Sequence, residues 1–156
     1  MPRYGRVPKR KIPPDSVYNS DLVQKFINKM IIGGKKNKAE SIFYKVMEEL
    51  AQKMGKNALE VFEKAIDNAS PLLEVKARRV GGATYQVPIE VTKARSQALA
   101  MQWLREAAKK RAGKSMVENL SSELIDSYNK TGAANKKRED LHKTAEANRG
   151  FAHFRW

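Results

Sequence analysis

Residues 72–91 read LLEVKARRVGGATYQVPIEV. Two short runs rich in Val, Tyr, Ile and Thr flank Val80-Gly81-Gly82. Adjacent glycines reach the positive φ angles of a tight hairpin turn at no steric cost. Before the turn, Leu73, Val75 and Ala77 alternate with Glu74, Lys76 and Arg78. After it, Tyr85, Val87, Ile89 and Val91 alternate with Thr84, Gln86 and Glu90. Period-two patterning on both sides of a Gly-Gly turn predicts a β-hairpin. Pro88 cannot serve in a central strand, so the ribbon has free edges. A two-stranded ribbon is marginal alone. Its base, with Leu73, Val75, Ile89 and Val91, is therefore expected to rest on helices. Its basic tip, with Lys76, Arg78 and Arg79, is expected to reach outward.

Helical patterning surrounds this ribbon. Upstream, Ser20 or Asp21 can cap a first helix whose stripe is Leu22, Val23, Phe26, Ile27, Met30 and Ile31. Gly33-Gly34 ends it, and Lys35, Lys36 and Lys38 open a second helix with core positions Ala39, Ile42, Phe43, Val46, Met47, Leu50 and Met54. A third helix, about Asn57 to Asn68, places Leu59, Phe62, Ala65 and Ile66 inward, and Pro71 bars its continuation. Downstream, Thr92 can cap a long fourth helix to about Arg111, with Ala94, Ala98, Met101, Trp103 and Leu104 on its buried side. Ser115-Met116-Val117-Glu118 fits a capping box opening a fifth helix to Tyr128. A last helix, Ala133 to about Asn148, has a thin apolar face (Leu141, Ala145) and needs outside contacts to stay docked. The predicted fold is mainly α: one helical domain of about six helices, with a protruding β-hairpin between the third and fourth. The main core is expected from the second, third and fourth helices, with Ile42, Phe43, Val46, Phe62, Leu99 and Leu104 buried.

Residues 1–18 hold four prolines and five basic residues. Such a segment buries too little apolar area to order itself. It reads as an extended basic arm that orders on a partner, in preference to a solubilising tail, because Tyr4 lies among the charges. The domain proper is then 19–156.

Charge excludes most function classes. The chain of 156 residues carries 31 Lys and Arg against 17 Asp and Glu, a net of +14. That implies a polyanionic partner. Residues 1–40 hold ten basic against three acidic residues, and residues 41–70 hold four against five. A folded middle with charged binding surfaces fits this. There is no Cys, so disulfide and thiolate chemistry are excluded. The N-terminus lacks an apolar signal region and no run approaches membrane-spanning length, so a soluble cytoplasmic protein is expected.

Gly33-Gly34-Lys35-Lys36 lacks the spacing of a phosphate loop and follows a helix instead of a strand. It reads better as a lysine-bearing helix N-terminus, where free N–H groups and the helix dipole attract phosphate. An exposed basic turn is the plain alternative. His142 and His153 stand apart from any ligand cluster, no nucleophile–base constellation is legible, and no metal or cofactor is implied. Trp103 reads as core in preference to a base-stacking platform. Tyr85 either stacks on a base or packs on the ribbon's own face. Composition and pattern thus give a helical domain with a basic arm and a basic ribbon, built to hold RNA or DNA, with phosphate neutralisation dominating affinity. A DNA-architectural or general RNA-binding protein is the competing class. A nuclease is weakened by the lack of clustered acidic metal ligands.

EVKARRVGGATYQVPIEV, then Arg95 and LAMQWL, then HKTAEANRGFAHFRW at the C-terminus, closely resemble small-subunit ribosomal protein seven of the bacterial and organellar type. MPRYGRVPKR and NKMIIGGKKNKAE match the same family, and the likeness spans essentially the whole chain. Ser16 stands where the family pattern expects Pro. The resemblance implies a structural, non-enzymatic component of the small subunit. It implies binding to the 3′ major domain of the ribosomal RNA early in assembly, and organisation of the head. It also implies a place near messenger and exit-site transfer RNA, with small-subunit proteins nine, eleven and thirteen as neighbours. Carried over by position, the ribosomal-RNA contacts are Arg3, Arg6, Lys9, Arg10 and Lys11 in the arm; Lys35, Lys36 and Lys38 at the second helix; Lys76 on the ribbon; and Arg95, Arg111 and Lys114 on the fourth helix and its exit. Arg78, Arg79, Gly81, Gly82 and Tyr85 form the hairpin region proximal to messenger and transfer RNA.

Overall fold

In the computed structural model, which describes residue 5 and residues 10–154, the hairpin forms where the glycines predict it. β1 (Leu73–Val80) pairs antiparallel with β2 (Ala83–Glu90), and Val80 opposite Ala83 leaves a two-residue turn. Gly81 and Gly82 take φ of 57° and 88°, the double positive φ that a type I′ turn requires. The register decides how the apolar residues fall on the two faces. Leu73 faces Glu90 and Val75 faces Pro88, whereas Val87 faces Lys76 and Ile89 faces Glu74. Directly opposed residues share a face. The two apolar rows therefore lie on opposite faces of the ribbon, each interleaved with charge. Near the base, Val87 and Pro88 are both buried, so both faces are covered there.

Among the described residues six α-helices precede and follow it in the chain: α1 (Asp21–Met30), α2 (Lys36–Met54), α3 (Ala58–Ala69), α4 (Lys93–Lys110), α5 (Met116–Tyr128) and α6 (Ala133–Ala147). A 3₁₀ segment (Arg149–Phe154) follows α6. Some start signals act as their chemistry dictates. Asn57 accepts the Leu59 N–H at 3.1 Å, and Ser115 accepts the Glu118 N–H at 3.3 Å. Ser20 and Thr92 occupy N-cap positions but make no side-chain cap bond.

An aromatic triangle joins the first three helices. Phe26, Phe43 and Phe62 have centroid separations of 5.6, 5.3 and 5.2 Å. Such pairs add about 0.5–1.5 kcal/mol each beyond their area burial. The core is wider than the three-helix expectation. α5 lies against α2, α3 and α4, and its Leu120 and Leu124 are fully buried. Phe43, Val46, Phe62 and Leu104 are fully buried as expected, but Ile42 and Leu99 are only half-buried. Trp103 is half-buried against the core.

α6 docks through polar groups, which offsets its thin apolar face. Its Ala134 and Ala145 are buried. Asn135 Nδ2 donates to the Ser127 carbonyl at 3.2 Å, Arg138 donates to the Asn68 carbonyl at 2.5 Å, and Lys137 pairs with Glu106 at 2.8 Å. At its start, the Ala134 N–H donates at 3.1 Å to Oε1 of Glu123, a carboxylate buried in α5. No helix among the described residues is long and apolar enough to cross a membrane.

Candidate nucleic-acid interface

The chain is fastened to the helical body before residue 18. Asp15 is buried: its Oδ2 accepts the Val17 and Tyr18 N–H groups at 3.1 and 3.0 Å, and its Oδ1 accepts the Tyr44 hydroxyl at 2.8 Å. Burial first, and then that bond to Asp15, raise the Tyr44 phenol above its ordinary pKa. The carboxylate thus turns the chain and fastens it to α2. Arg10 and Lys11 precede this fastening and are exposed. Arg3, Arg6 and Lys9 lie outside the described residues.

Beyond that point the chain runs through α1 to a basic groove. Gly33, Lys35 and Lys38 line one side, Arg105 and Lys109 of α4 the other, and Met30, Ile42 and Met116 the floor of a space of about 780 Å³. α2 begins there with no side-chain cap and no acidic residue in its first turn. Its free N–H groups and three lysines therefore present positive potential together. Lys36 is half committed, pairing with Glu40 at 3.2 Å. Arg105 donates to the Lys29 carbonyl at 2.8 Å, which closes the end of α1 and holds the guanidinium at the rim. Glu106 also lines the groove, but its charge is engaged. Hydrogen bonds from Lys137 and then Gln102 hold its carboxyl below the usual range. Arg105 and Lys109 were not among the sequence-derived contacts. Their helical register with Met101 and Leu104 reads as solvated charge until α4 is placed against the α1–α2 loop.

The ribbon carries its cations along an exposed edge and tip. Lys76, Arg78, Arg79, Gly81 and Gly82 are all exposed. Near the base, Glu74 is shared between Arg95 at 3.3 Å and Lys76 at 4.0 Å, so those two cations are partly offset. Tyr85 is half-buried and makes a ring contact outside the ribbon. Its ring packs on Phe151 and Phe154 of the 3₁₀ segment, with both centroid separations 5.1 Å.

Arg111 is also engaged within the chain. Its Nε and Nη2 donate to Glu123 Oε2 at 3.0 and 2.5 Å, and Nη2 is in contact with the Asp126 carboxylate. Burial pulls the guanidinium pKa down, but the Asp126 and Glu123 carboxylates outweigh that and leave it raised. Arg111 therefore balances a buried internal charge. Lys114, three residues on, is exposed. The structure thus groups Lys35 and Lys38 with Arg105 and Lys109, leaves the ribbon tip as a cationic point outside that groove, and engages Arg111 and Tyr85 within the chain while both stay part-exposed.

Comparison with known proteins agrees along the whole chain. The family profile described as ribosomal protein S7p/S5e matches residues 2–149. The chain is 54% identical over 156 residues to the small ribosomal subunit protein uS7 of Oleidesulfovibrio alaskensis, covering 100% of both chains. It is 57% identical over 156 residues to that of Pelotomaculum thermopropionicum, again with 100% of both covered. It is 58% identical over 154 residues to that of Chloroflexus aggregans, covering 99% of this chain and 98% of the relative.

Proposed function

The chain belongs to the ribosomal protein S7p/S5e family, a structural and non-enzymatic component of the small ribosomal subunit, and from that premise we propose which RNA it holds and with which residues. It binds the 3′ major domain of small-subunit ribosomal RNA and organises the head during assembly, in cytoplasmic or organellar ribosomes. Its partners there are proteins nine, eleven and thirteen. Its ribbon faces the path of messenger and exit-site transfer RNA.

The observation that carries this reading is the groove between α2 and α4, where Lys35, Lys38, Arg105 and Lys109 surround an apolar floor at an uncapped helix N-terminus. That combination suits a folded RNA, whose phosphates meet the rim. Arg10, Lys11, Lys76, Arg95 and Lys114 extend the contact, together with Arg3, Arg6 and Lys9 of the arm. Arg78, Arg79, Gly81 and Gly82 form the separate point offered to messenger and transfer RNA. Binding of a 3′-domain RNA fragment and of duplex DNA, each titrated at several salt concentrations, tests the reading. A preference for the RNA that survives added salt is expected. Equal affinity for both, collapsing together with salt, would make the protein a general polyanion binder.

A further inference from the structure

We infer that the C-terminal 3₁₀ segment positions the ribbon, with Phe151 and Phe154 gripping Tyr85 and so setting the direction in which Arg78 and Arg79 point. A two-stranded ribbon with free edges has little stiffness of its own. Its root is tied at three places. Ser96 donates to the Pro71 carbonyl at 2.7 Å, Arg95 pairs with Glu74 at 3.3 Å, and the Leu72 N–H donates to His142 Nε2 at 3.0 Å. All three lie at or before Glu74. The buried Val87 and Pro88 carry the hold to the pairs with Lys76 and Val75, and the outer ribbon hinges beyond them.

Tyr85 lies beyond that hinge, two residues out from Val87. It pairs with Arg78, the third pair from the turn. At about 3.4 Å per residue, Arg78 is roughly 17 Å along the strand from Leu73. A grip at that distance restrains the angle of the ribbon much more than another contact at the root. Arg78 is directly opposite Tyr85 and shares its face, so the held ring and the guanidinium move together. The gripping segment is itself fastened. The Phe151 N–H donates to the Asn148 carbonyl at 3.0 Å, and the His153 ring lies against Phe154, tilted by 45° with centroids 4.0 Å apart. Behind it stands α6, docked by Glu123, Asn68 and Glu106.

The chain has no cysteine, so spin labels go where they are placed. Cysteines at Arg79, on the tip, and at Glu63, an exposed site on α3, report the ribbon angle as a distance distribution by pulsed electron resonance. The labelled parent should give one narrow distribution. Tyr85→Ala and the double variant Phe151→Ala/Phe154→Ala should each widen it about twofold or more, as a local release with the fold intact. Tyr85→Phe, which keeps the ring, should stay narrow. Cooperative melting near the parent midpoint should accompany all of them. A narrow distribution in the alanine variants overturns the inference. So does widening in Tyr85→Phe equal to that in Tyr85→Ala. Widening that comes only with loss of cooperative melting overturns it too, because the rings would then belong to the core.

Discussion

Arg111, at the end of α4, holds the fully buried carboxylate of Glu123 from α5 with two donated hydrogen bonds. The other oxygen of that carboxylate receives the Ala134 N–H of α6. One side chain therefore ties three helices. Removing one member of a buried ion pair costs about 3–5 kcal/mol, because the other charge is left uncompensated. Arg111→Ala should thus lower stability by that order in urea unfolding. Its RNA affinity, measured where the variant is still folded, should keep the parent salt slope. A normal unfolding midpoint with a shallower slope would return Arg111 to the RNA surface.

Gly132 precedes α6 at the same junction. A Cβ there would lie 3.0 Å from Glu123 Oε1 and 3.0 Å from the Ser127 backbone nitrogen. The backbone cannot give way without disturbing the carboxylate. Gly132→Ala should therefore cost about 1–3 kcal/mol as an overpacking change. Gly150→Ala, where an added Cβ meets nothing within 4 Å, is the matched control and should melt with the parent.

His142 supplies a pH signature. Burial first, and then the nearby Arg138, lower its pKa from the ordinary 6.5. Its Nε2 also accepts the Leu72 N–H, so protonation there would break that bond. The unfolded chain takes up the proton more readily than the folded one. Stability from this site is full above 6.5 and declines as pH falls from there through the lowered folded value. Chemical denaturation across that range should show the decline, and His142→Ala should flatten it. Glu49 and Glu106, lowered from 4.5 by hydrogen bonds led by Ser121 and Lys137 respectively, lose their contributions only in the more acidic carboxylate range. The two windows are separable.

Local chemistry was legible and distant pairing was not. Gly81-Gly82 and the Ser115–Glu118 box act within four residues, so their spacing alone predicts a turn and a helix start. The triangle of Phe26, Phe43 and Phe62 follows from helical periodicity, since each residue lies on its own helix's apolar stripe. The face on which the ribbon's apolar rows fall depends on register across the turn, which alternation within one strand does not state. Tyr85 finds its partners more than sixty residues later in the chain, and Asp15 finds Tyr44 on another element. Arg111 looks like one more cation at a helix end, and only the packing of α5 reveals that it faces a buried carboxylate. The exposure of Lys35, Lys38, Arg78 and Arg79 is more legible, because exposed charge needs no partner within the chain.

The groove and the ribbon tip separate anchoring from reach. Each phosphate neutralised adds roughly 0.7–0.9 to the slope of log K against log salt. Lys35, Lys38 and Lys109 line the groove and make no ion pair among the described residues. The triple variant Lys35→Gln, Lys38→Gln and Lys109→Gln should therefore lower the slope for a 3′-domain RNA fragment by about 2–3. Its melting midpoint should stay near the parent value, because the three side chains support no helix contact. Arg78→Gln with Arg79→Gln should change that slope by less, since the tip stands apart from the groove. Removing the arm before Asp15 should lower it by several such increments while the Asp15–Tyr44 bond keeps the domain closed. If the tip variant loses more slope than the groove variant, the ribbon is the anchor. The groove is then only a solvated basic surface.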